Sequence, residues 1–92
     1  MVRVWLEYHR SRKTSASTEW YVYASTDELV PIRKIFEPLE STYDPKKTHW
    51  TELYDIPEGT IVVRIRRTNR GNIRYDEFTI TKEDEGKTLP FS

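Results

Sequence analysis

A small, mainly β domain is the fold class this sequence predicts: an antiparallel barrel or twisted sheet of five to six short strands. At most one short helix is expected, near residues 28–37, with an α+β arrangement as the alternative. Three observations carry this. Residues 2–9 alternate apolar and polar side chains with the period of two of a half-buried strand. Tyr, Trp, Val, Ile and Thr, which suit a pleated surface, recur in short runs. Gly, Pro, Asn and Asp punctuate the chain between those runs.

Taken in order, Val2, Val4, Leu6 and Tyr8 share one side of the first strand, and Arg3, Trp5, Glu7 and His9 the other. Residues 10–18 are polar and too long for a tight turn, so they read as a loop. Residues 19–25, rich in aromatics, make a second strand, expected to pair with the first as an antiparallel hairpin. Residues 25–40 are ambiguous. Ser25, Thr26 and Asp27 can each cap a helix that places Leu29, Ile32, Phe36 and Leu39 on one face. Pro31 fits only the first turn of such a helix and Pro38 ends it, which leaves an irregular strand as the competitor.

The sequence Tyr43-Asp44-Pro45-Lys46 signals a turn, and residues 49–54 alternate again as a short edge strand. After a turn at Ile56-Pro57-Glu58-Gly59, residues 60–68 and 73–81 flank Asn69-Arg70-Gly71-Asn72 as a hairpin. A two-residue Arg70-Gly71 turn sets Ile65 against Asp76, Val63 against Phe78 and Ile61 against Ile80. The other face then pairs Arg64 with Glu77 and Arg66 with Tyr75. A three-residue loop with a Gly71 bulge shifts the pairing by one and separates the apolar residues, so the first register is preferred. Residues 83–86 form a turn, and residues 87–91 form a last strand that Pro90 assigns to an edge.

At 92 residues the chain is a single domain, 1–92, with a small core in which three Trp, six Tyr and three Phe carry much of the burial. Without cysteine there is no disulfide framework and no thiolate metal site. Charges within the first seven residues and the lack of a long apolar run argue against a signal peptide or membrane span, and a cytoplasmic protein is expected. Glutamine is absent and one third of the residues are charged, a composition that points to a thermophilic source.

Enzyme chemistry finds little support. The three glycines are isolated, so no phosphate-cradling loop exists. His9 and His49 lack a second ligand at metal spacing, and residues 83–85 lack the oxygen pattern of a calcium loop. Ser11, Ser15 and Ser17 have no evident base. An acid–base pair of His9 with Glu7 or Glu52 is the one catalytic arrangement the sequence permits, and it ranks last. No catalytic residue, metal or cofactor is assigned.

Charge patterning is more informative. The chain is neutral, yet residues 1–13 carry +3 and residues 60–75 carry +5 from five arginines without an acid. Arg66, Arg67, Arg70 and Arg74 cluster at the tip of the 64–74 hairpin, and the 10–13 loop adds Arg10, Arg12 and Lys13. Guanidinium forks match phosphate oxygens, and Trp5 with Trp20 or Tyr21 can offer stacking surfaces for bases. The expected function is a small non-catalytic binding or interaction module whose partner the sequence does not identify, a protein ranking first, with nucleic-acid binding through these seven cations as the alternative. The plainer explanations are cross-strand ion pairing, edge protection and core packing of the tryptophans. They turn on whether the two basic segments lie on one side and whether acidic segments cover them.

Overall fold

A computed structural model describes residues 1–90. The domain is mainly β: two four-stranded sheets pack around one core. Eight strands follow in order: β1 (Val2–His9), β2 (Ser17–Tyr23), β3 (Leu29–Pro31), β4 (Glu40–Ser41), β5 (His49–Ile56), β6 (Ile61–Arg67), β7 (Ile73–Thr79) and β8 (Thr88–Leu89). One sheet has the order β4-β5-β1-β8 and the other β3-β2-β6-β7.

The alternation in β1 holds as expected, with Val2, Val4, Leu6 and Tyr8 all buried. Its partners are different from those expected. β1 pairs antiparallel with β5 and parallel with β8, whereas β2 pairs with β3 and β6. The expected β1–β2 hairpin is therefore replaced by a corner between the two sheets, with an isolated Arg10–Ser17 bridge beside it. A loop of this length lets the chain change sheets, and both strands then present a face to the same core.

The segment around residues 28–37 begins as β3 and continues as a single 3₁₀ turn, Ile32–Lys34. Ala24 donates its N–H to Glu28 O at 2.8 Å, closing a β2–β3 turn with Asp27 at φ 62° where a helix cap was expected. Ile32 plugs the core and Phe36 packs against it, while Leu39 remains exposed. Residues 49–54 extend to Ile56 as β5, which lies between β4 and β1 and is not an edge.

The β6–β7 hairpin takes the register set aside from sequence. Ile65 opposes Tyr75, Arg64 opposes Asp76, Val62 opposes Phe78 and Arg66 opposes Arg74. The Thr68 N–H donates to Asn72 O at 2.9 Å, so the loop is Asn69-Arg70-Gly71, with Gly71 at φ +85°. Glycine adopts that left-handed conformation without steric cost. The final strand, β8, lies at a sheet edge beside β1 as expected, while Phe91 falls outside the described residues. No helix among the described residues is long and apolar enough to cross a membrane.

Candidate nucleic-acid interface

Strand directions gather the basic loops. β1, β4 and β6 run toward one end, where the 10–16, 42–48 and 68–72 loops emerge together. The contacts are direct. The Arg10 N–H donates to Thr48 O at 2.8 Å, and Ser17 pairs with Arg10 on one side and with Arg67 on the other. Loop 10–13 and hairpin tip 66–74 are thus neighbours.

These three loops hold Arg10, Arg12, Lys13, Lys46, Lys47 and Arg70 against Asp44 alone. The loops at the opposite end, 24–28, 57–60 and 80–87, hold Asp27, Glu28, Glu58, Glu83, Asp84 and Glu85 against Lys82 and Lys87. The neutral chain folds into a charge-polarised molecule, and the acidic loops are directed away from the basic ones.

The seven cations singled out from sequence have different fates. Arg10 donates to the Tyr43 hydroxyl at 3.2 Å and to Pro45 O at 2.7 Å, and Arg12 donates to Pro45 O at 2.6 Å. Both arginines brace the 42–48 loop through neutral acceptors, so they keep their full charge. Lys13, Arg67, Arg70 and Arg74 are exposed and make no ion pair among the described residues. Arg66 differs. Its Nε lies 3.1 Å from Asp76 Oδ2, an oxygen that also accepts Arg64 Nη2 at 2.8 Å. Asp76 takes the place of the expected Glu77 as partner of Arg64, and Arg66 meets this carboxylate in place of the Tyr75 ring. Arg66 therefore shares a single carboxylate with Arg64, and its Nε makes no hydrogen bond.

Three further contributors escaped the sequence reading. Lys46 and Lys47 sit in a segment whose acids mask them in a running charge sum, and Tyr43 reads from sequence only as part of a turn. An Asx turn positions the lysines: Lys46 N–H donates to Asp44 Oδ1 at 2.9 Å and Lys47 N–H to Asp44 O at 2.9 Å. Tyr43 is 48% exposed, with Arg10 above its ring at 5.3 Å and the Trp50 ring edge-on at 5.1 Å. Of the tryptophans proposed for stacking, Trp20 is a core residue, 2% exposed, donating Nε1–H to Glu7 O at 2.7 Å. Trp5 and Tyr21 are half-buried.

Beside this end a cleft of about 370 Å³ opens between the sheets, lined by Tyr8, Arg10, Trp20, Arg33 and Trp50 among others. Tyr8 stacks on Trp50 at 5.3 Å, and Glu52, 3% exposed, binds Arg33 and accepts the Tyr54 hydroxyl at 2.7 Å. Burial together with the Glu52 charge pushes the Tyr54 hydroxyl up to about 12, so it remains a proton donor.

The suggested His9–carboxylate pair does not form. His9 Nδ1 lies 2.8 Å from His49 Nε2, and Glu52 is occupied by Arg33 and Tyr54. Burial and the nearby His49 lower the His9 pKa, which favours a neutral imidazole in that contact. No group of three or more His, Cys, Asp or Glu among the described residues could hold a metal ion. Comparison with protein-family models, curated proteins and solved structures gives no match.

Proposed function

We propose that this domain is a non-catalytic binding module that holds the phosphate backbone of a single-stranded nucleic acid across its basic end. One observation carries the reading: three loops distant in sequence converge to present unpaired cations while the acidic loops lie at the opposite end. Such an arrangement leaves a field that attracts polyanions although the net charge is zero. The exposed Tyr43 ring beside Arg10 favours a single strand over a duplex, because unpaired bases can stack on it. Protein binding, the expectation ranked first from sequence, draws its support from a different surface, the outer face of β6 and β7, where Ile61, Ile73 and Tyr75 are exposed.

Fluorescence anisotropy with mixed-sequence DNA and RNA oligomers, single- and double-stranded, tests the reading. Single strands should bind more tightly than duplexes, with log K falling linearly in log salt at about 0.7 per neutralised phosphate. Replacing Lys46 and Lys47 with Glu should weaken binding, and replacing Glu83 with Gln at the acidic end should not. No binding at roughly 50 mM salt, or binding indifferent to salt, sinks the proposal.

A further inference from the structure

β7 is the longest free edge of this fold, blunted only by the charges of Arg74, Asp76 and Glu77. Of the four outer strands, β4 and β8 have two residues each and β3 has three, ending in Pro31. β7 has seven residues, no proline, and pairs, among the described residues, only with β6. Long uncovered edges of this kind invite another strand.

Hydrogen-bond alternation fixes which groups the edge offers. The hairpin is closed at one end by Thr68 N–H to Asn72 O at 2.9 Å and at the other by Ile80 N–H to Thr60 O at 2.9 Å. In an antiparallel ladder bonded and non-bonded pairs alternate, so residues 74, 76 and 78 direct their N–H and C=O to β6. The backbone groups of Ile73, Tyr75, Glu77 and Thr79 are directed away from it.

We propose that two copies of this chain join edge to edge through β7, antiparallel and with the two-fold axis on Tyr75, to make one continuous eight-stranded sheet. Residues opposite one another must share a face, so neighbouring symmetric registers centre on residue 74, 75 or 76. Centring on Asp76 opposes two carboxylates, and centring on Arg74 opposes two guanidiniums. Centring on Tyr75 sets Arg74 of each copy against Asp76 of the other, twice. It also makes Tyr75/Tyr75 and the two Ile73/Glu77 pairs the hydrogen-bonded ones, which uses outward-directed groups of both copies.

Two further features favour this occupant. Within its own hairpin Arg74 stands opposite Arg66, a like-charge pair that destabilises a sheet. A second copy supplies the carboxylate that Arg74 lacks. Antiparallel docking also places the basic end of one copy beside the acidic end of the other, so the polarised molecules attract. On the outer face Ile65, Tyr75 and their two counterparts then form an unbroken apolar row, since Ile65 already opposes Tyr75.

The test of this dimer needs no nucleic acid, so it stands or falls apart from the proposed function. Sedimentation of the full chain from micromolar to millimolar concentration should show a monomer–dimer equilibrium that weakens with salt. Arg74→Glu should abolish dimerisation without lowering the thermal stability of the monomer, because it relieves the contact with Arg66. The chain has no cysteine, so Tyr75→Cys reports the register directly. Residues in a hydrogen-bonded antiparallel pair have Cα atoms about 5.5 Å apart, within disulfide reach. Tyr75→Cys should oxidise to a covalent dimer and Thr79→Cys should not. A chain that remains monomeric throughout, a dimer indifferent to Arg74→Glu, or equal cross-linking at both positions overturns the proposal.

Discussion

The Asp76 carboxylate binds the Arg64 guanidinium across the β6–β7 ladder, one oxygen accepting Nη2 at 2.8 Å and Nε at 3.1 Å. The arginine beside it, Arg66, approaches the same oxygen, and the two guanidiniums hold the Asp76 carboxyl below its ordinary range. Asp76 therefore holds two of the five hairpin arginines.

Asp76→Asn should have opposite effects on stability and affinity. Loss of a partly exposed, shared ion pair costs about 1 kcal/mol of folding stability. Because the folded-state pKa is depressed, this contribution is complete above the unfolded pKa of about 3.9 and is lost as pH falls through the lower folded value. The freed arginines should raise oligonucleotide affinity and steepen its salt dependence. Urea titration and anisotropy on one protein check both signs, and weaker binding in the variant would remove Asp76 from this role.

His9 supplies a second pH dependence of the same sign. Its pKa is lowered from 6.5 by burial and by His49, so the unfolded chain binds the proton more readily. Stability is complete above about 6.5 and declines as pH falls toward the folded value, where the decline ends. His9→Gln should flatten stability against pH in that window, and an NMR titration should place the His9 midpoint below 6.5. A midpoint above 6.5 contradicts the account.

Arg33 is the partner that makes a buried Glu52 tolerable. Its Nε donates to Glu52 Oε1 at 3.1 Å, and Ser41 and Tyr54 reach the same carboxylate. Breaking a buried ion pair from one side costs about 3–5 kcal/mol. Because half of the Arg33 side chain is exposed, Arg33→Ala should fall near the lower limit, about 3 kcal/mol. Arg33→Ala combined with Glu52→Gln should recover part of that loss, which urea denaturation of the unaltered chain and the two variants measures. Identical stability for the single and double variants would show that the charge is not the cause.

Legibility from sequence followed the range of the interactions. β1 was readable because one buried face imposes a strict period of two on Val2, Val4, Leu6 and Tyr8. Its pairing with β5, forty or more residues away, leaves no local trace, and adjacency in sequence points instead to a β1–β2 hairpin that does not form. In β6–β7 the apolar residues were gathered onto a single face, but both faces of the sheet carry them. Val62 and Phe78 oppose one another toward the core, whereas Ile65 and Tyr75 oppose one another on the outer side. Gly71, with its positive φ, decided the loop length that this criterion missed. The hairpin tip and the 10–13 loop could be found as charge runs. Lys46 and Lys47 could not, because Asp44 and two nearby glutamates offset them in sequence, and only folding separates them.

Tyr43 separates stacking from charge in the proposed interface. Its ring is held by Trp50 edge-on and by the Arg10 guanidinium, and the rest is open to a base. Removing one stacked base contact costs roughly 1–3 kcal/mol, so Tyr43→Ala should weaken single-strand binding about ten-fold. The slope of log K against log salt should stay the same, because no phosphate contact is lost. Tyr43→Phe removes only the hydroxyl that Arg10 bonds at 3.2 Å, and it should retain most of the affinity. Paired replacement of Lys46 and Lys47 with Glu should instead flatten the slope by about 0.7 for each contact removed. If Tyr43→Ala leaves affinity intact while the lysine variant abolishes it, the interface holds backbone alone and the preference for single strands goes with it.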